Sequence, residues 1–176
     1  MTIEERIRKT VRNVPDFPRE GIQFKDVSTL MTDPELMNDI LEELVVHASG
    51  QGITKVAGIE SRGFLFGPSL AMRLSVPFVM IRKEGKLPYE KLSYSYQLEY
   101  GSAVVEVHKD SFISGDKVHV HDDLLATGGT ALAAAELVRQ FGAKVESYSF
   151  LIELMQLKGR ESIRGNTENI TILAGL

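Results

Sequence analysis

Residues 118–131 read VHVHDDLLATGGTA. A short run of alternating apolar residues leads into two adjacent aspartates, Asp122 and Asp123, then into two glycines flanked by threonines, and then into alanines. Strand, loop and helix is the order this predicts, with the acids at the strand's end. At such a junction the N–H groups of the loop and of the helix's first turn have no helical acceptors, so they can converge on one anion. Gly128 and Gly129 let the main chain approach closely, and Thr127 and Thr130 add hydroxyl donors. With Ala126 they make a five-residue cup suited to a phosphate monoester. Charge-assisted hydrogen bonds contribute about 1.5–3 kcal/mol each, against roughly 0.3–1 kcal/mol for a helix dipole at an exposed end. Directed donors therefore dominate the cup.

The loop lacks the lysine of a triphosphate-binding P-loop, since Thr130 and then Ala131 follow the second glycine. Nor does it match a dinucleotide fingerprint, because its glycines are adjacent and acids open the turn. Two neighbouring carboxylates beside a phosphate repel it unless something lies between, and vicinal sugar hydroxyls or a metal ion are the natural fillers. Phosphate plus ribose is the favoured reading. A tight turn with solvated acids is the alternative, and GGT alone would suggest it; the preceding strand, the acid pair and the alanine-rich helix together favour the anion site.

Working outward, the pattern alternates strands and helices. TIEERIRKTV spaces Ile3, Ile7 and Val11 as a helix, with Thr2 and Glu5 as a capping box. PDFPREGIQF, with two prolines and a glycine, predicts an extended, turning segment. Asp33 and Pro34 read as N-cap and first position of a helix carrying Ile40, Leu41, Leu44 and Val45 on one side and stopping near Gly50 and Gly52. KVAGIE, SRGFLFGPSLAMRL and VPFVMIRK read as a β-α-β unit. EGKLPYEKLSYSYQ, polar and tyrosine-rich, reads as a mobile excursion that could close over the site, and YQLEYGSAVVEVHK as a hairpin around Gly101. Strand KVHVH, helix GGTALAAAELVRQFGA, strand KVESYSFLIEL, short helix LKGRESI and strand NITILAG follow. The economical architecture is α/β, with an open, mainly parallel twisted sheet flanked by helices. Ligands in such sheets bind beyond the carboxyl ends of the strands, where the opening stretch lies.

With 176 residues, 43% hydrophobic and 25% charged, the chain suits one domain over residues 1–176. A net charge of −4 offers no general attraction to nucleic acid or to anionic membrane, so the expected partner is a small molecule held by a local site. No apolar run approaches a bilayer's span, and the absence of cysteine excludes disulfides and thiolate chemistry. A cytoplasmic location is the expectation.

HDDLLATGGTA closely resembles the phosphoribosyl pyrophosphate (PRPP) signature of the type I phosphoribosyltransferases. PDFPREGIQFKDVSTL, GIESRGFLFGPSLA, and IRKEGKLP with YSYQLEYG are similar to stretches of the adenine-specific branch of that family, in the same order from about Pro15 to about Arg160. The resemblance implies the type I phosphoribosyltransferase fold with a small N-terminal hood, residues 1–32 forming much of the base-binding side. It implies transfer of 5-phosphoribose from PRPP to N9 of adenine, giving AMP and pyrophosphate with Mg2+, by a homodimer.

Residue by residue, the resemblance assigns Ala126, Thr127, Gly128, Gly129 and Thr130 to the 5'-phosphate and Asp122 and Asp123 to the ribose hydroxyls. Arg62 and Lys83 bind pyrophosphate, Lys86 assists, and Glu60 and Ser61 present main-chain N–H groups to it across a cis peptide. Phe24 stacks on adenine while the main chain of Gln23 and Lys25 reads its edge. Glu99 is the acid/base at the imidazole ring of adenine, and Tyr100 sits beside the reacting centre. Mg2+ is held mainly by substrate oxygens and water, with Asp122 and Asp123 as candidate ligands. His119 and His121 depart from the apolar residues usual in this strand; a structural or interface role is expected, since a metal site would need further ligands. Two competing functions are a transferase for a 6-oxopurine (hypoxanthine, guanine or xanthine) and a PRPP-sensing regulator. The second would need a nucleic-acid-binding module for which the chain has neither spare length nor a basic stripe.

Overall fold

The computed structural model describes residues 1–97 and 101–176. Its elements in chain order are α1 (Ile3–Thr10), β1 (Arg12–Pro15), β2 (Gln23–Asp26), α2 (Pro34–Ala48), β3 (Lys55–Ile59), α3 (Gly67–Leu74), β4 (Phe78–Lys83), β5 (Lys91–Gln97), β6 (Ser102–His108), β7 (Lys117–Leu125), α4 (Gly129–Gln140), β8 (Lys144–Glu153), α5 (Gly159–Ile163) and β9 (Ile170–Gly175). Short 3-10 turns at Val27–Thr32, Arg62–Phe64 and Met155–Leu157 complete the description. The helix starts follow local chemistry. Thr2 and Glu5 form the capping box of α1, and the Asp33 carboxylate accepts from Leu36 N at 2.9 Å, with Pro34 opening α2.

Seven strands form one sheet in the order β5-β6-β4-β3-β7-β8-β9. From β4 through β3, β7 and β8 to β9 every pairing is parallel, whereas β6 joins β4 and β5 antiparallel. The middle strands β3, β7 and β8 are buried almost throughout, as strands with both faces covered must be. Val118, Val120, Tyr148 and Phe150 pack with Ala131, Ala134, Leu137 and Val138 of α4. The other cluster gathers Val56, Leu151 and Leu173 with Ile7 of α1, Leu36, Ile40 and Leu44 of α2, and Leu70 of α3. β1 and β2 form a separate two-stranded antiparallel sheet, with Val14 opposite Phe24.

Two expectations need correction. Lys91–Gln97, expected to be a mobile excursion, is the edge strand β5, paired with β6 from Lys91–His108 to Gln97–Ser102. Leu92, Tyr94 and Tyr96 alternate inward against the core while Ser93 and Ser95 face outward, so a two-residue period lay beneath the polar composition. Leu87, just before it, is buried. The second correction concerns the aspartates, which are not beyond the strand: β7 continues through them to Leu125, pairing Asp122 with Phe150 and Leu125 with Glu153 of β8.

His119 and His121 are both buried within the chain, so the interface alternative falls and the structural one holds. The two rings of His119 and His121 face β8: His119 Nδ1 hydrogen-bonds with Ser147 Oγ at 2.7 Å and its Nε2 with Ser149 Oγ at 2.7 Å, while His121 Nδ1 meets Ser149 Oγ at 2.8 Å. Burial pulls the pKa of His119 down to about 3, aided by the nearby His121, and burial pulls His121 down to about 4. The unfolded chain takes up these protons near 6.5 and the folded chain does not, so the stability present above pH 6.5 is lost as pH falls toward 3–4. The loss is on the order of 1 kcal/mol per pH unit for each histidine. Urea unfolding at pH 7 and pH 5 should show a steeper acid loss for the parent than for the His119→Val/His121→Val protein, and equal slopes would refute this account. The variant is expected to be weaker at both pH values, because Ser147 and Ser149 lose buried partners.

Candidate functional site

β4, β3 and β7 are adjacent and parallel, so the segments leaving their carboxyl ends emerge side by side. A cavity of ≈ 530 Å³ opens there. Its lining takes Glu60 and Arg62 from after β3, Lys83 from the end of β4, Asp122 and Asp123 from β7, and all of Ala126, Thr127, Gly128, Gly129 and Thr130. Residues up to 70 positions apart in sequence thus meet because parallel strands share one polarity.

The cup is built as the junction requires. Gly128 has φ +88°, a conformation costly for a side chain, and Leu132 N is bonded to Gly128 O at 2.9 Å in the first turn of α4. The N–H groups before Leu132 have no acceptor within the helix, and Gly128, Gly129 and Thr130 all line the cavity. Behind the loop lies α5: a Cβ on Gly159 would fall 2.2 Å from Ala126 O, and one on Gly128 would fall 3.0 Å from Gly159 O. Only glycine at 159 allows this bracing, a requirement that the sequence reading missed.

The acids are unequal. Asp123 is buried and paired with Arg62, whose Nε donates to its Oδ2. Asp122 accepts the Asp123 N–H at 2.9 Å, and desolvation followed by the charge of Asp123 pushes its pKa well above the usual carboxylate range. Such a pair calls for hydroxyl donors or a cation. Among the described residues no group of three or more His, Cys, Asp or Glu could hold a metal ion.

On the opposite wall, the Glu60 carboxylate accepts from Arg82 Nη2 at 2.9 Å and Nε at 3.2 Å, and from Lys83 N at 3.0 Å. Arg82, foremost among these, holds Glu60 below its ordinary pKa. Arg82 Nη1 also donates to Lys86 O at 3.0 Å, so one guanidinium fixes the end of β4 and the turn after it. The buried Glu106 secures the far side of that turn, accepting from Gly85 N at 3.0 Å and Lys91 Nζ at 2.9 Å. Neither Arg82, which lines the cavity beside Lys83, nor Glu106 was singled out from sequence; an arginine next to a lysine gives no sign of the carboxylate it will brace.

The remaining expected residues divide. The Glu60–Ser61 peptide is cis, although Ser61 does not line the cavity, and neither does Lys86. Gln23, Phe24 and Lys25 lie on β2. Phe24 reaches the site through Arg62, whose guanidinium stands 5.6 Å from the ring centroid, with Phe17 edge-on at 5.1 Å. Glu99 and Tyr100 lie outside the described residues. Tyr96, absent from the expected set, lines the cavity and touches Thr130.

Residues 31–167 match the phosphoribosyl transferase domain family. An adenine phosphoribosyltransferase of Photobacterium profundum is 48% identical over 164 residues, 93% of this chain and 94% of its own. The crystal structure of adenine phosphoribosyltransferase from Thermoanaerobacter pseudethanolicus superposes with a TM-score of 0.94 at 46% identity, covering 99% of this chain and 100% of that one.

The chain belongs to the adenine phosphoribosyltransferase family.

A further family member, the Giardia lamblia enzyme solved with 9-deazaadenine, has a TM-score of 0.93 at 38% identity and covers 100% of this chain and 98% of its own. The likeness thus extends over the N-terminal segment, ahead of the matched domain, as well as over the PRPP signature.

One close approach sets the spacing between Arg62 and the acids. A Cβ on Gly63 would lie 2.6 Å from His121 O and 3.3 Å from Asp122 Oδ1, both fixed by β7. Gly63→Ala must therefore displace the Arg62 turn, at a cost of about 1–3 kcal/mol. Urea denaturation should show the midpoint falling accordingly, and an unchanged midpoint would contradict the close packing of this turn on β7.

Proposed function

We propose that the chain catalyses transfer of 5-phosphoribose from PRPP to N9 of adenine, releasing AMP and pyrophosphate. The observation that carries this reading is a cavity in which a candidate phosphate cup, a carboxylate pair and cationic groups meet. In the proposed assignment, Ala126–Thr130 hold the 5'-phosphate and Asp122 and Asp123 receive the ribose 2'- and 3'-hydroxyls, whose donors relieve the unfavourable approach of the two acids. Arg62 and Lys83 face the diphosphate, with Lys86, Glu60 and Ser61 contributing at that end.

The bond from C1' to the diphosphate oxygen breaks, the bond from C1' to N9 forms, and the base gives up its proton. Positive charge develops on the ribose ring and negative charge on the departing oxygens, so fixed cations at the leaving group lower the barrier. Mg2+ belongs to the proposal: with Asp122 and Asp123 as its candidate protein ligands, it would neutralise charge on the leaving diphosphate. Arg62 is paired with Asp123 and stands over Phe24 in this structure; a bound diphosphate competes with Asp123 for it.

For the base, Phe24 offers a face, and among the described residues β2 pairs with β1 along one edge, which suits reading by the main chain of Gln23 and Lys25 along the other. Glu99 is assigned as acid/base and Tyr100 as its neighbour at the reacting centre. Residues 1–32 are proposed as much of the base-binding hood of a single domain over residues 1–176. The proposal further includes a homodimer in the cytoplasm, a setting that a cysteine-free chain suits; among the described residues no helix is long and apolar enough to cross a membrane.

A 6-oxopurine presents an acceptor where adenine presents a donor, and a site built for one rejects the other. Offered adenine, hypoxanthine, guanine and xanthine with PRPP and Mg2+, the protein should release pyrophosphate with adenine at least about 10²-fold faster than with the others; preference for an oxopurine would transfer the assignment to that class. Asp122→Asn/Asp123→Asn should lower kcat/KM for PRPP by about 10²-fold or more, from the loss of two charge-assisted contacts. Parent-like turnover in that variant would remove the aspartates from the ribose.

A further inference from the structure

The edge strand β5 reaches the phosphate cup through one side chain. Tyr96 Oη lies 3.0 Å from Thr130 Oγ1, and a Cβ on Gly129 would be in van der Waals contact with the Tyr96 ring, 3.7 Å from Cδ2. The ring is part of the cavity wall. Its strand is paired with β6 along its whole length, Tyr96 opposite Ala103, and Glu106 ties it down at the start through Lys91 and Ser93. A phenol so fixed against the first turn of α4 is not a loose surface group.

We infer that Tyr96 is a positioning residue of the 5'-phosphate cup, donating its hydroxyl proton to Thr130 Oγ1 so that the Thr130 hydroxyl is left to donate to the phosphate. The inference rests on the proposed reading of the cup. A hydroxyl has one proton and can accept two hydrogen bonds. The phenol is the more acidic of the two partners, so it takes the donor role, and the threonine proton is freed for a third group. A chain of hydroxyls running one way also strengthens each bond in it. Without the phenol, nothing among the described residues holds the Thr130 hydroxyl in one rotamer, and its proton is free to turn to water or to another nearby acceptor instead of the phosphate. Tyr96 thus sets a rotamer, and touches the phosphate only through Thr130.

Tyr96→Phe keeps the ring and its packing and removes only the donor. Calorimetric titration with ribose 5-phosphate should show Kd rising about 10-fold, the effect expected for losing one hydrogen bond in a charged network. Pyrophosphate, which uses the other wall, should bind within about 2-fold of parent, whereas a general loosening of the fold would weaken both. Thr130→Val should weaken ribose 5-phosphate as well, and Tyr96→Phe added to Thr130→Val should cost nothing further, because the route through Thr130 is already gone. A Tyr96→Phe protein within about 2-fold of parent for ribose 5-phosphate, or losses that multiply in the double variant, would overturn the inference while leaving the proposed function intact. A parent protein that fails to bind ribose 5-phosphate at all would overturn both.

Discussion

Parallel pairing of β3 with β4 on one side and β7 on the other is the constraint from which the site follows. Parallel strands point their carboxyl ends the same way, at a spacing of about 4.8 Å. Three segments distant in sequence must therefore leave the sheet as neighbours, whatever their side chains. What sequence adds is the character of each exit: a turn with Arg62 after β3, a lysine at the end of β4, and acids followed by a glycine loop at β7. Small residues then let these exits approach. Gly63 lies against the carbonyl of His121, and Gly159 against that of Ala126, so the cavity is shaped by main chain meeting main chain.

The electrostatics are arranged by pairing rather than by net charge. Glu60 faces Arg82 and Asp123 faces Arg62, while Asp122, next to Asp123 and desolvated, has its pKa pushed up. The pairings differ in kind. Glu60 and Arg82 share two side-chain contacts reinforced by the Lys83 N–H, which makes them a frame. Arg62 is about two-fifths exposed and bound to the buried Asp123 through Nε, with its guanidinium also over the Phe24 ring. The first pair holds the end of β4, and the second joins the turn after β3 to β7.

Much of this architecture is legible in the sequence. The capping box at Thr2, the Asp33–Pro34 start and the glycine loop each have one local solution, and the alternation from β3 to β9 follows from hydrophobic period. The cup and its acids are legible because a short contiguous stretch contains them. What stayed hidden depends on contacts between distant segments. KLSYSYQ looks like a loop by composition, and only its place beside β6 shows that Leu92, Tyr94 and Tyr96 face inward. Arg82, Glu106 and Gly159 act by bracing other groups, and nothing in their own neighbourhood announces the partner. The extent of β7 was underestimated because charged residues within a strand imitate its end.

The imidazole seam between β7 and β8 has one more consequence. Two parallel strands made only of valine and isoleucine pack almost equally well after sliding by two residues, since every second side chain looks alike. Here β8 bulges between the pairings Val118–Val145 and His119–Ser147, and beyond it His119 faces Ser147 and His121 faces Ser149. Sliding would set a ring against a hydrocarbon wall and strand its nitrogens. The seam therefore works as an alignment key: it sacrifices some hydrophobic burial in the middle of the core and in return leaves the sheet a single acceptable setting, two residues upstream of the point where Asp123 must face Arg62.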